Sequence, residues 1–259
     1  MSTRMRSTAQ AGFTLVELMV AMTLGMVLMI VISNVFVASK ESYRTTEDMS
    51  RLQENARFAV THLGRVLRMA SYVDDPTQVS VTRTAVFPIA TLAAVTGTEG
   101  SGTTSDSVTV RYQGSADGTV FDCQGNQIVG GAFAVARFHL AAAGDGSGTT
   151  SLYCDNTGTV GPVVADIELV QGVENMQLLY GDDTDGDGTA NRYRVQSSVA
   201  NLDNVVSVRI GLLMSTANQV ASATDTRTYN VIGTSIGPMS DKRVRRMYTT
   251  TIALRNRAP

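Results

Sequence analysis

The most chemically suggestive segment is a short acidic stretch, residues 182–188. Its residues match the D-x-D-x-D-G opening of a calcium-binding loop, in which alternate carboxylates converge on one hard cation and the glycine permits a sharp turn. The matching residues are Asp183, Asp185, Asp187 and Gly188. The twelfth position is Arg194 instead of a bidentate glutamate, so Asn191 or a distant carboxylate would have to complete the shell. The stretch predicts either a weak calcium site or a solvated acidic turn.

Residues suited to catalysis are scarce. There are two histidines, His62 and His139, and the sequence contains no glycine-rich phosphate loop, zinc-ligand spacing or nucleophile elbow. We interpret both histidines as structural or surface residues. The sequence therefore predicts a protein that is not an enzyme and requires no cofactor, with calcium as the possible exception.

Two cysteines, Cys123 and Cys154, lie in the polar part of the chain. An even number of cysteines in an exported domain favours a disulfide, which an oxidising periplasm would maintain. Closing this loop would stabilise the fold by about 3–4 kcal/mol in the chain-entropy model. The alternative is two free thiols buried as small core residues.

A basic cluster lies near the C-terminus, although the net charge of the whole chain is only −2. Its members are Lys242, Arg243, Arg245, Arg246, Arg255 and Arg257. Such residues could contact phosphates, but no regular aromatic residues alternate with them to stack bases. Solvated strand faces or subunit contacts are the commoner use, so direct DNA binding is not expected.

Glu17 is the single charge in an apolar run from Phe13 to Ser39. As a helix this run would measure about 40 Å, more than the roughly 30 Å of a hydrocarbon core. A carboxylate in such a span costs a few kcal/mol unless it is paired or lies near the interface, which makes Glu17 a functional candidate. A cleaved secretory signal is the alternative, but its apolar region would be shorter and an A-x-A-like site would follow it.

The residues on either side of this span indicate its orientation. Arg4 and Arg6 precede the span, and no lysine or arginine occurs from Ser7 to Ser39. With a soluble domain following, this arrangement predicts a single-pass inner-membrane protein with a cytoplasmic N-terminus and a periplasmic head.

The helix is expected to continue to about Tyr72, because Pro76 is the first proline after Phe13. Apolar residues recur in this second half at steps of four, three, four, three and four, the spacing of one helix face. They are Leu52, Ala56, Ala59, Leu63, Val66 and Ala70. This face would seat a β-sheet.

Short β-branched or alternating runs follow Pro76, many of them separated by glycine-bearing turns. We predict strands at Ser107–Tyr112, Ala132–Leu140, Ala165–Val170, Asn175–Tyr180, Val205–Met214, Arg227–Ile232 and Met247–Leu254. The expected fold is α+β, with a long N-terminal helix packed against a mainly antiparallel head. Its parts would be a leader (1–12), a membrane helix (13–39), an amphipathic continuation (40–72) and a β-rich head (73–259).

The segment Gly12-Phe13-Thr14-Leu15-Val16-Glu17-Leu18 resembles the type IV prepilin signature. The resemblance implies a type IV pilin-like fold, and cleavage by a prepilin peptidase between Gly12 and Phe13 with methylation of the new Phe13 amine. It also implies that the Glu17 carboxylate neutralises the N-terminal amine of a neighbouring subunit, offsetting the burial of both charges in a filament.

Further segments resemble the PilW family of minor pilins: Arg51–Ala59, Leu67–Tyr72, Tyr112, Asp122-Cys123, Ser151–Cys154 and Arg245–Asn256. The resemblance implies a structural protein that joins other minor pilins, and ultimately the major pilin, in a complex that primes pilus assembly at or near the tip. It also implies contact with an inner-membrane assembly platform and final residence at the cell surface. The role of residues 73–105 stays open.

Two other functions remain compatible with the sequence. One is a J-type minor pseudopilin of type II secretion, which would share the leader, the helix and a β-rich head. The other is a tip module for DNA uptake or adhesion.

Overall fold

The structure is a computed structural model that describes residues 12–74, 93–156 and 164–256. By its internal contacts the chain divides into two units, Met1–Thr46 and Glu47–Pro259. One helix, α1 (Leu15–Arg68), contributes to both. The strands of the described part are β1 (Val95–Thr98), β2 (Ser107–Gln113), β3 (Phe133–Ala142), β4 (Thr150–Asn156), β5 (Val164–Gln171), β6 (Val173–Asp182), β7 (Arg192–Arg194), β8 (Val205–Ser215), β9 (Tyr229–Val231), β10 (Thr234–Ile236) and β11 (Arg245–Ala253).

The first unit contains the apolar half of α1. Residues 12–44 are all exposed, including the large apolar side chains from Phe13 to Val37. By length and composition, α1 is able to cross a membrane. Because burial of apolar area contributes about 25 cal/mol per Å², this surface needs lipid or other protein around it.

The second unit is built on antiparallel sheets. A five-stranded sheet has the order β1-β2-β3-β4-β5, a four-stranded sheet has the order β11-β8-β6-β7, and β9 pairs with β10. Gly172 links the two larger sheets, since its N–H donates to the Thr150 carbonyl and its own carbonyl accepts from Ser215 N–H. The predicted α+β fold with a mainly antiparallel head is confirmed.

The second half of α1 supplies one wall of the core. All six residues of the predicted stripe are buried, as are three further helical residues, Asp48, Gly64 and Leu67. Gly64 lies under β11, where an added Cβ would be 3.6 Å from Ile252 Cδ1. Small residues on this face therefore let the sheet approach the helix closely.

The helix ends earlier than the sequence indicates, at Arg68 and not near Tyr72. Ser71 has a φ of 62°, a left-handed conformation that a helix cannot continue through. The Asn256 side chain donates hydrogen bonds of 3.1 Å to the carbonyls of Arg68 and Ala70. A residue of the C-terminal tail thus binds carbonyls that the helix leaves free.

All seven predicted strands are present, with ends that differ by a few residues. The Arg227–Ile232 run shortens most, to β9 (Tyr229–Val231). Four strands were missed, namely β1, β4, β7 and β10. Three of these are only three or four residues long, and β4 carries polar residues that weaken its β pattern.

Arg245 holds the segment between β8 and β11 onto the sheets. Its guanidinium is only 3% exposed and lies 2.6 Å from Glu174, 2.7 Å from Asp241 and 3.4 Å from Asp225. The Arg245 hydrogen bond is the main reason that the Asp241 pKa lies below its ordinary value. The assignment of Arg245 to a solvated or phosphate-binding cluster is therefore wrong, because three carboxylates enclose it.

We expect Arg245→Met to lower the free energy of unfolding by about 3–5 kcal/mol, since it leaves buried carboxylates without their cation. In a unit of this size that lowers the Tm by roughly 10 °C, measured by thermal unfolding of the full chain in detergent with the disulfide intact. The matched control is Arg246→Met, one residue away on an exposed site, which should change stability by less than about 0.5 kcal/mol. Equal losses in the two variants would contradict the assignment.

Candidate functional site

The N-terminus of α1 forms around a capping box. Thr14 precedes the helix, and its hydroxyl accepts a 3.3 Å hydrogen bond from Glu17 N–H. In return, the Glu17 carboxylate accepts from Thr14 N–H at 2.9 Å and from the Thr14 hydroxyl at 3.0 Å. The T-x-x-E spacing that predicts such a box is present in the sequence, but the sequence analysis used only the charge of Glu17.

Glu17 therefore has a local role in addition to any intermolecular one. Its negative charge lies in the first turn of α1, where the helix dipole and the free N–H groups favour an anion. The box positions the carboxylate next to Thr14, one residue after Phe13. A positive charge on the Phe13 amine nitrogen would therefore lie near a carboxylate that is already oriented.

The proposed cleavage point lies outside the helix. Residues 12–14 have no regular secondary structure, and Phe13 is 91% exposed. A Cβ added at Gly12 would meet nothing within 4 Å. Packing within this chain therefore does not require a glycine at position 12. Recognition by another protein is a remaining reason for a glycine there.

Cys123 and Cys154 form a disulfide with a Cα–Cα distance of 6.4 Å, within the usual range of about 4.4–6.8 Å. It joins the β2–β3 connection to β4. The Cys123 carbonyl also lies 3.0 Å from His62 Nε2 on α1. His62 packs edge-on against Phe138, which makes it part of the structural contact between the helix and the sheet.

The acidic loop connects β6 to β7 as a hairpin. One oxygen from each of Asp183, Asp185 and Asp187 can be chosen so that the three lie within 4.8 Å of one another. Burial raises the Asp183 pKa, but the N–H groups of Gly188 and Gly186 outweigh it and hold the pKa below its ordinary value. The loop is thus acidic and folded back on itself around the Asp183 carboxylate.

The two later positions of the calcium-loop pattern, Asn191 and Arg194, differ in what they contact. Asn191 lies inside, where its amide donates to Asp185 at 3.0 Å and its oxygen accepts from Thr184 N–H at 2.6 Å. Arg194 donates instead to the Ser198 carbonyl. The Asn191 oxygen also accepts from the Thr184 hydroxyl, so it is already engaged within the loop. A role for Asn191 as a calcium ligand, and calcium binding itself, stay predictions.

The C-terminal basic residues do not form one surface. Besides Arg245, Arg243 is largely enclosed and donates to the carbonyls of Thr216 and Ser147. Lys242, Arg246 and Arg255 are exposed, and Arg257 lies outside the described residues. Because its centre is used for internal contacts, the cluster offers no continuous phosphate-binding face among the described residues.

His139 belongs to a group of side chains that the sequence analysis did not predict. It lies on β3, with Asp155 on β4 and Asp166 on β5 beside it. These residues come from three strands, so no local spacing could have indicated the group. Only the pairing of the strands reveals it.

Comparison with known proteins gives two family matches and one relevant fold. Residues 137–256 match the family described as Type IV Pilus-assembly protein W, and residues 7–33 match the prokaryotic N-terminal methylation motif. No curated protein matches the chain. Among solved structures it is similar to the type IV-like pilin TTHA1219 from Thermus thermophilus, with a TM-score of 0.52 and 16% identity over 81% of this chain and 98% of that one.

The two family matches lie at opposite ends of the chain and agree with the residues described above. The methylation motif includes the cleavage point and the capping box, and the PilW match extends from β3 to the tail that caps the end of α1. The fold similarity adds the pilin architecture that connects them. The chain therefore has a type IV pilin-like fold, carries the prokaryotic N-terminal methylation motif, and matches the PilW family over residues 137–256.

Proposed function

We propose that this chain is a structural subunit of a complex of minor pilins that primes assembly of the type IV pilus and lies at or near its tip. The observation that carries the proposal is the PilW match over residues 137–256, in a chain whose N-terminal helix exposes its whole apolar half. The family match supports the pilus over the J-type pseudopilin of type II secretion.

Before assembly, the apolar half of α1 would lie in the inner membrane. The run from Phe13 to Ser39 is long enough to cross the bilayer, and the basic leader would stay in the cytoplasm. The disulfide between Cys123 and Cys154 suits the oxidising periplasm into which the head would be exported.

Processing would take place at the unstructured start of this helix. A prepilin peptidase would cut between Gly12 and Phe13 and methylate the new amine, in keeping with the matched methylation motif. The exposure of Phe13 and the open space around Gly12 support access by such an enzyme.

In the filament, neighbouring helices would replace lipid around α1. Transfer from lipid to protein leaves the apolar surface covered, but it brings the new N-terminal amine into a low-dielectric environment. The Glu17 carboxylate of an adjacent subunit would neutralise that amine. The capping box supports this role because it orients the carboxylate at the start of the helix.

The PilW match points to a structural component and not to an enzyme. Two depressions of the described surface lie on α1, one of which faces β5 and is lined by residues such as Glu54, Phe58 and Leu169. A direct DNA-binding function is likewise not favoured, since Arg245 and Arg243 are committed to internal contacts.

Three substitutions separate the charge of Glu17 from its capping role. Glu17→Gln preserves a side chain that completes the box but removes the charge, Glu17→Val removes both, and Thr14→Ala removes the cap but retains the charge. We expect all three chains to insert into the membrane. Both Glu17 variants should reduce incorporation into pili at least tenfold, because an unpaired buried charge costs several kcal/mol and each 1.4 kcal/mol is a factor of ten.

Thr14→Ala should retain most incorporation, and Glu41→Gln, a change at an exposed glutamate of the same helix, serves as the control. The readout is immunoblotting of membrane and sheared-pilus fractions. Incorporation of Glu17→Gln at the level of the unmodified chain would show that capping, and not charge, is the function of this residue.

Deletion of the gene should distinguish the pilus from the secretion system. We expect surface filaments and twitching to fall to background, because a priming complex without one subunit cannot start a filament, while type II secretion continues. Filaments are counted by electron microscopy and a secreted enzyme is assayed in the medium, with re-expression of the chain as control. Normal piliation together with lost secretion would favour the pseudopilin.

Calcium binding at the β6–β7 loop has its own test. If the loop binds calcium, Asp185→Asn should abolish a weak site, with a Kd of about 10⁻⁴–10⁻³ M as in extracellular modules. Calorimetric titration of the full chain in detergent measures it. Asp145→Asn, in the turn between β3 and β4, is the matched control. Equal heats from all three proteins would rule out the site.

A further inference from the structure

Three neighbouring strands bring a histidine and several carboxylates together on one face of the five-stranded sheet. His139 lies on β3 opposite Tyr153 of β4, and Tyr153 in turn lies opposite Glu168 of β5. Asp155 lies two residues after Tyr153 on β4, and Asp166 lies two residues before Glu168 on β5. Both therefore project from the same face. Cys154 and Phe138 project to the other face, into the core.

The distances within this group suit a shared cation. His139 Nε2 is 3.3 Å from Asp166 Oδ2, and His139 Nδ1 is 3.9 Å from Asp155 Oδ2. One atom from each residue can be chosen so that all three lie within 4.8 Å of one another. Two ligands on a tetrahedral zinc with bonds of about 2.0–2.1 Å are separated by about 3.3 Å. The pair of His139 Nε2 and Asp166 already has this separation. The Asp155 carboxylate lies nearest the other ring nitrogen, so it would have to move toward Nε2 to bind the same ion.

Three polar atoms of the patch are buried without a hydrogen-bond partner among the described residues. They are His139 Nδ1, Asp155 Oδ1 and Glu168 Oε1. Asp155 as a whole is only 9% exposed. Buried polar atoms are normally paired, so several orphaned atoms in one patch indicate a missing partner.

The charge balance gives the sign of that partner. Asp155, Asp166 and Glu168 face one arginine, Arg137, which lies 3.4 Å from Asp155 and is itself half exposed. The patch therefore holds more acidic than basic side chains. Two carboxylates held this close are stabilised by a cation between them.

The surroundings would hold the imidazole in place. The Tyr153 ring stacks on His139 with centroids 6.1 Å apart, and its hydroxyl donates to the Ala142 carbonyl at 2.9 Å. Glu168 Oε2 accepts from Gly144 N–H. The side chains beside the histidine are thus fixed by hydrogen bonds to the β3–β4 turn, as outer-shell groups of metal sites commonly are.

We propose that His139, Asp155 and Asp166 form a binding site for a first-row divalent metal ion, with Zn²⁺ as the best match to one imidazole and two carboxylates. The ion joins β3 and β4 to β5, which is an edge strand of its sheet. The site is structural: it ties down an edge of the head that has a sheet neighbour on one side only. It is independent of the minor-pilin function and of the acidic β6–β7 loop.

The test is zinc titration of the metal-stripped full chain in detergent, by calorimetry and by competition with a chromophoric indicator. We expect one Zn²⁺ per chain and a Tm rise of about 5–10 °C at a zinc concentration 100-fold above the Kd. His139→Gln and Asp166→Asn should each weaken binding more than about 100-fold, because loss of an outer-shell partner alone costs 10- to 100-fold.

Matched controls are His62→Gln, which changes the other histidine, and Asp185→Asn, which changes the acidic loop; both should bind zinc like the unmodified chain. Because the Asp166 side chain is 47% exposed, Asp166→Asn should fold normally, and its metal-free Tm verifies this. Co²⁺ supplies a second readout, a visible d–d absorption band present in the unmodified chain and absent from His139→Gln. No saturable zinc binding, or unchanged binding in both site variants, would overturn the proposal.

Discussion

A helix whose first half packs against no apolar side chain among the described residues imposes the main constraint on this protein. The side chains from Phe13 to Val37 are exposed throughout, and they are too numerous and too contiguous to remain in water. Lipid and the helices of other subunits are the two environments that can cover them. The absence of lysine and arginine over this run, and the position of Glu17 at its beginning, follow from the same requirement.

The second half of the same helix has its apolar face covered permanently by the head of its own chain. Gly64 on the buried face lets β11 approach, and larger residues such as Leu52 and Leu63 belong to the same buried cluster as the strands. His62 and Asn256 add polar contacts from the disulfide loop and from the tail. One helix thus carries two kinds of surface, one reserved for other molecules and one used for folding.

Features that depend on neighbouring residues could be predicted from the sequence. The span, the buried stripe and the longer strands follow from periodicity, and the convergence of Asp183, Asp185 and Asp187 follows from their alternation in a tight turn. Features that depend on distant residues could not. Asn256 lies 188 residues from Arg68, whose carbonyl it binds where the helix ends. The buried Arg245 pairs with Glu174 and Asp225, which lie 71 and 20 residues away. A basic pattern alone gives no sign of such partners.

Local features are the ones that this chain shares with other type IV pilin-like proteins, whereas features that depend on distant residues distinguish it. The methylation motif, the capping box and the apolar run all lie in one short segment near the N-terminus, where neighbouring residues are enough to define them. The head differs in this respect. Its distinctive chemistry, such as the group formed by His139, Asp155 and Asp166, exists only after three strands pair. A local motif can therefore identify the class of protein, whereas chemistry particular to this chain has to be sought on the surface of the folded head.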